Sequence, residues 1–219
     1  MIVLTQDRNY KFEIREGSPS DDLVIRETWV ENVYRITQGD FDNQRGERGV
    51  FLDLGANIGA VSVYAARMGA YVVAVEPDPD NLEYLTRNLT SNHGGPSLIV
   101  PAAAGPAPAT LKLTPGHGHS RITEDGTVEV EAKTIEQILA LASVDEVDVC
   151  KIDIEGYEYP LIEGTPSSVL RRIRYLTMEF DARPDDVFGR MVAKLAHDFA
   201  VTTLGSPERG GYIYARRYA

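Results

Sequence analysis

Cysteine is almost missing from this sequence: Cys150 is the only one among 219 residues, which excludes a disulfide within the chain. It sits in the apolar run Val147-Asp148-Val149-Cys150, where a thiol is expected to serve as a small buried hydrophobe rather than a nucleophile. Basic residues are outnumbered, 22 against 33 acidic ones, for a formal net charge of −11. Binding to phosphate backbones needs clustered Lys and Arg, so the balance argues against nucleic acid and against anionic membrane surfaces as partners. No apolar run approaches the roughly 18 residues of a spanning helix. Met1-Ile2-Val3-Leu4-Thr5-Gln6-Asp7 lacks the basic segment and apolar core of a secretory signal, and a cytoplasmic location is expected. Internal repeats and low-complexity segments are lacking too. What remains is ordinary for a globular protein, 43% hydrophobic and 25% charged. The length suits one domain with a full core. The expected division is an N-terminal hairpin and capping helix over residues 1–40 and an α/β core over 50–219.

The chain is organised around Val50-Phe51-Leu52-Asp53-Leu54-Gly55-Ala56-Asn57-Ile58-Gly59. A short apolar run bounded by glycine reads as a buried strand, and Ile58, Val61, Ala65 and Ala66 continue at helical spacing. In a strand–glycine turn–helix unit, Gly55 and Gly59 are expected to let a ligand approach the backbone. The helix N-terminus is expected to aim free N–H groups at it. Tyr71-Val72-Val73-Ala74-Val75 is a second buried strand ending in Glu76-Pro77. An acid about 20 residues after such a turn accepts hydrogen bonds from ribose hydroxyls. A dinucleotide fingerprint would place glycines at 57 and 60, where this chain has Asn57 and Ala60. Asp53 would repel a pyrophosphate and favour a cation. S-adenosylmethionine, with a ribose, an ammonium, a sulfonium and no phosphate, fits Asp53, Gly55, Asn57, Gly59, Glu76 and Pro77.

Ile2-Val3-Leu4 and Tyr10 to Ile14 read as a hairpin around Asp7-Arg8-Asn9. A helix capped by Ser20 or Asp21 follows, expected to lie across one rim of the sheet. Its Trp29 is expected in the core, while Tyr34 is open to either a core or a cofactor-facing role. Asp78 caps a helix that ends at Asn92-His93-Gly94-Gly95. Ser97 to Val100 is a strand that runs into Pro101-Ala102-Ala103-Ala104-Gly105, whose small side chains, Ala103 among them, suit packing against an adenine ring. Residues 109–113 and 128–132 alternate as strands. Between them, His117 and His119 lie on a glycine-rich loop expected over the carboxyl edge of the sheet, where they are candidates to contact substrate or act as base. Thr134 caps a helix, and strands follow at 147–152 and 174–181. A helix over 185–196 precedes a hairpin around Gly210-Gly211. Alternating strands and helices predict an α/β fold with a mostly parallel sheet covered on both faces, and the last hairpin predicts one antiparallel edge strand.

Ligands in such folds bind beyond the carboxyl ends of the strands, where Asp53, Glu76, Asp153 with Glu155, and Glu179 with Asp181 all fall. Asp153 is expected beside the transferred methyl, for cofactor contact and as the first candidate for the base. A divalent cation on Asp153, Glu179 and Asp181 is the weaker alternative to a metal-free site. Phe51 to Gly59, Ala74-Val75-Glu76-Pro77-Asp78-Pro79 with Asn88, Lys151-Ile152-Asp153-Ile154-Glu155-Gly156-Tyr157-Glu158, and the helix Ile25 to Tyr34 together resemble the FkbM family of S-adenosylmethionine-dependent methyltransferases. The Lys-x-Asp-x-Glu-Gly-x-Glu motif is the more family-specific part. The resemblance implies a seven-stranded Rossmann-like sheet of the class I methyltransferase type. It also implies methyl transfer, usually to oxygen, with cofactor roles for Asp53, Gly55 and Glu76 and the reaction edge for Asp153. A small-molecule hydroxyl is the expected acceptor. N-methylation of an amide or amine, or a non-catalytic nucleoside-binding protein of the same fold, are the alternatives.

Overall fold

The structure, a computed structural model, describes residues 1–5, 9–42, 46–92 and 95–218, with His117 described in its backbone alone. Asp7 and Arg8 of the expected first turn, and His93, lie outside the described residues. The chain opens with the expected hairpin, β1 (Ile2–Leu4) against β2 (Lys11–Glu13). Then comes α1 (Pro19–Arg26), whose N-cap is Ser18 rather than Ser20 or Asp21. Proline fits the first helical position because it has no N–H to leave unpaired, and that places the cap one residue earlier. Asp21 instead forms a buried ion pair with Arg15 at 2.7 Å. A π-helical turn, Glu27–Glu31, continues α1 and stops at Asn32 in the left-handed region.

β3 (Val50–Leu54), β4 (Tyr71–Val75) and β5 (Ser97–Val100) run parallel and step outward, joined by α2 (Ala60–Ala66) and α3 (Pro79–Asn92). A second sheet follows, built from β6 (Ala103–Ala104), β7 (Ala109–Thr114), β8 (Arg121–Ile122) and β9 (Val128–Lys133) in the order β6-β9-β7-β8. α4 (Ile135–Ala142) then returns the chain to the far side of β3. Its start is fixed by a capping box in which Thr134 and Gln137 exchange hydrogen bonds. β10 (Val147–Ile152) pairs in parallel with β3. α5 (Glu158–Gly164) and α6 (Ser167–Leu170) lead to β11 (Ile173–Phe180), and α7 (Asp185–Ala196) leads to the hairpin of β12 (Phe199–Ser206) and β13 (Gly210–Arg217).

The main sheet has seven strands in the order β12-β13-β11-β10-β3-β4-β5. β13 pairs antiparallel with both β11 and β12. The antiparallel strand is therefore second from the edge, not at it, and β12 at the edge again runs with the core strands. The hairpin turns at Pro207–Arg209, with Gly210 and Gly211 already inside β13. Period-2 alternation splits the core between the two faces. Leu52 and Leu54 pack with Ile138, Ile162 and Met178, and Phe51 packs with α2, α3 and the N-terminal segment. Trp29 takes its place there as a core anchor. It touches Tyr10, Phe12 and Tyr64, and its indole N–H donates to the Ala60 carbonyl at 3.2 Å. The segment thus covers the α2 face rather than crossing a rim. Between β3 and β10 the strand order reverses, and that switch point opens a crevice at the carboxyl edge.

Candidate active site

The backbone amides of Gly55, Ala56 and Asn57, in the turn after β3, are satisfied from inside the protein. Gly55 N–H and Ala56 N–H donate to the Val75 carbonyl, each at 3.0 Å, and Asn57 N–H donates to Glu76 Oε2 at 2.8 Å. The array of free amides expected there is therefore replaced by bonds to β4, which leaves residues 55–57 without the donors a pyrophosphate would need. Gly55 and Gly59 are required for packing within the protein. A Cβ on Gly55 (φ +80°) would lie 1.7 Å from the Asp153 carbonyl oxygen, and one on Gly59 (φ +89°) 2.8 Å from Leu85. Glu76 also accepts from Asp78 N–H at 2.9 Å and from the Asn81 amide at 3.2 Å. Burial, partly offset by these donors, pushes its carboxyl up to about 7.

The register of β3 and β10 sets Lys151 beside Asp53. Both are buried, with Lys151 Nζ 3.3 Å from Asp53 Oδ1 and 3.5 Å from Asp153 Oδ2. Lys151 also donates to the Gly55 carbonyl, and Ser62 donates to Asp53 Oδ2 at 2.7 Å. Burial alone would lower the lysine's pKa, but Asp53 and Asp153 outweigh it and hold it above its ordinary value. Asp53, expected beside the ligand, is in this structure buried and paired with Lys151 and Ser62. The rest of the Lys-x-Asp-x-Glu-Gly-x-Glu motif divides its work. Glu158 Oε1 accepts from Ile154 and Gly156 N–H at 2.9 and 3.2 Å, pinning the turn in which Glu155 and Gly156 both take positive φ. Glu155 pairs with His119 at 3.0 Å and with Arg121 at 3.1 Å.

A cleft with about 570 Å³ of empty space, open solvent included, lies against this edge. Gly55, Asn57, Glu76, Pro77, Ala103 and Asp153 line it, as do Asn81, Ser120, Ile122 and Tyr157, which sequence reasoning did not single out. Gly59 and His119 are not in its wall. His119 is 68% exposed at the side chain and turned to Glu155, while the side chain of His117 lies outside the described residues. No group of three or more His, Cys, Asp or Glu side chains placed to hold a metal ion occurs among the described residues. Asp181, one of the three acids weighed for a cation, reaches Arg121 at 3.4 Å instead.

The FkbM methyltransferase domain matches residues 53–214. The chain belongs to the FkbM methyltransferase family. No curated protein matches it in sequence. Among solved structures, magnesium protoporphyrin IX methyltransferase of Synechocystis PCC 6803, with bound SAM, matches at 13% identity and a TM-score of 0.51, over 96% of this chain and 88% of that one. The delta-N METTL16 methyltransferase domain matches at 12% identity and a TM-score of 0.52, over 98% and 91%. WbdD matches at 14% identity and a TM-score of 0.54 over 94% of this chain but 44% of its own. These likenesses show the fold. This FkbM chain is a methyltransferase and its cofactor is S-adenosylmethionine. The cleft suits that cofactor. Asn57 Oδ1 is buried there with no hydrogen-bond partner among the described residues, so it lacks the donor that a ligand hydroxyl or amine would supply. Glu76 offers its carboxylate at the same wall.

Proposed function

We propose that this methyltransferase acts on a hydroxyl oxygen of a small molecule, with Asp153 as the base. In this reading Glu76 takes the ribose hydroxyls, Ala103 and Pro77 flank the adenine, and Asn57 meets a polar group of the cofactor. The cofactor supplies a methyl group on sulfur, displaced in line by the acceptor. A hydroxyl acceptor must also lose its proton, and Asp153 is the acid of the cleft placed where β10 ends at the switch point. That placement is the observation that carries the reading. Residues 1–219 are taken as one domain, and the acceptor as small and neutral or cationic in view of the −11 charge. An amine acceptor is the second reading, favoured by two further acidic side chains near Asp153, Glu27 and Glu179.

Two measurements test this. Calorimetric titration is expected to show S-adenosylhomocysteine binding and no binding of NAD. Asp153→Asn is expected to keep that binding and to lose about a hundredfold or more in turnover against a panel of hydroxyl and amine acceptors. Undiminished turnover removes Asp153 as the base, and transfer to amines alone favours the second reading. Glu76→Ala weakens S-adenosylhomocysteine binding if ribose hydroxyls donate to it.

A further inference from the structure

The segment that precedes the matched family region carries a tyrosine to the same carboxylate. Tyr34 is 4% exposed, and its hydroxyl donates to Asp153 Oδ2 at 2.8 Å. Lys151 Nζ approaches that same oxygen at 3.5 Å. Both contacts fall on Oδ2, and among the described residues no protein group bonds Oδ1. The loop that delivers Tyr34 is held from several sides. Asn32 (φ 47°) and Arg35 (φ 52°) both take left-handed backbone, which costs a non-glycine residue on the order of 1 kcal/mol or more. The Asn32 side chain bridges the Ile36 N–H and carbonyl at 3.1 and 3.0 Å. From the sheet below, Tyr175 donates to the Tyr34 carbonyl at 3.0 Å and Tyr214 to the Val33 carbonyl at 2.7 Å. The Tyr34 ring also meets Tyr212 edge-on, at 5.9 Å between centroids. Simple core filling would call for a phenylalanine. A hydroxyl in this position is useful because it meets the one carboxylate shared by the cleft and the buried charge pair.

We propose that Tyr34 is a positioning residue for methyl transfer: its hydroxyl, together with Lys151, holds Oδ2 of Asp153 and so aims the free Oδ1 toward the acceptor. The inference rests on the reading that Asp153 faces the transferred methyl. Fixing a carboxylate in this way matters because displacements of about 1 Å can cost on the order of a hundredfold in rate. Burial, then Asp153 and Glu179, keep the Tyr34 hydroxyl protonated well beyond the usual tyrosine range, so it remains a donor wherever the enzyme works.

The test needs no acceptor. Sinefungin carries an amine-bearing carbon where S-adenosylmethionine carries its methylsulfonium, so its ammonium probes Asp153 directly. Calorimetric titration of the full chain with sinefungin and with S-adenosylhomocysteine gives a preference ratio. The ratio is expected to favour sinefungin in the unaltered protein and to vanish in Asp153→Asn. In Tyr34→Phe it should fall about tenfold, as a lost hydrogen bond to a charged group implies, with S-adenosylhomocysteine affinity unchanged. Tyr214→Phe, which keeps Tyr34 and only unties its loop, should lower the ratio by a smaller factor. An unchanged ratio in Tyr34→Phe overturns the proposal, and so does an equal loss of both ligands, which makes Tyr34 structural. A ratio unaffected in Asp153→Asn overturns instead the placement of Asp153 at the methyl, and the proposal with it.

Discussion

Lys151 sets the charge balance of the site. It is one cation facing two carboxylates, Asp53 at 3.3 Å and Asp153 at 3.5 Å, deep at the end of β10. Removing one partner from a buried pair leaves an uncompensated charge, so Lys151→Met should cost about 3–5 kcal/mol in urea denaturation. The double variant with Asp53→Asn should recover much of that loss, and a loss that is simply additive would sink the pairing. Residues of this kind were the least legible in the sequence. Lys151 interrupts an apolar strand with no periodicity to announce a role, and Asp53 reads the same whether its carboxylate meets a ligand or a lysine across the register. Tyr34 reaches Asp153 over a sequence distance that no local pattern spans. The places of Gly55 and Glu76 on the cleft wall were legible because chain order alone puts a strand's carboxyl end there. The reason for Gly55 was not, since the Asp153 carbonyl that excludes a Cβ comes from another strand.

The β7–β8 connection acts as an element of its own. Ser120 donates to the Asp78 carboxylate, and Arg121 reaches Glu155 at 3.1 Å and Asp181 at 3.4 Å. Gly118 is seated so closely on Ser20 that a Cβ there would lie 2.5 Å from the serine's Cβ. These contacts tie the second sheet across the cleft to four segments, at Ser20, Asp78, Glu155 and Asp181, so the connection should slow the escape of a bound cofactor. Exposed ion pairs contribute about 0–1 kcal/mol each. Arg121→Ala is therefore expected to leave the denaturation midpoint nearly unchanged while S-adenosylhomocysteine dissociates several times faster in stopped-flow displacement. An unchanged dissociation rate would show that the connection does not cover the ligand. The long periodic strands and helices of the fold were legible. The two-residue strands β6 and β8 were not, because two residues carry no period. The place of β13 inside the sheet was also hidden, since a hairpin pattern fixes which strands pair with each other but not which of them meets the rest of the sheet.

Across the whole molecule, the site carries carboxyl groups held above their ordinary range. Burial is the first cause for each: it raises Glu76 and Glu158 to about 7, and, with Asp153 and Glu27 nearby, Glu179 to about 8. In the unfolded chain all three return to the ordinary glutamate value of 4.5. Between that value and about 8 the folded state binds more protons than the unfolded one, so stability must fall as pH rises through the window. The −11 charge acts in the same direction, because each further ionisation adds to self-repulsion. The ligand-free protein is therefore expected to show a higher urea midpoint at pH 5.5 than at pH 8.5. Glu179→Gln, uncharged at both, should flatten that difference, and a ligand-free protein more stable at the higher pH would refute the assignment. Ligand binding should run the other way. If ribose hydroxyls donate to Glu76, the carboxylate is the form that receives them, and S-adenosylhomocysteine affinity should weaken as pH drops below about 7. The same buried acids would then favour the empty fold at low pH and the occupied one at high pH, and Glu76→Gln should abolish the binding trend while flattening the stability trend only in part, since Glu158 and Glu179 still carry it.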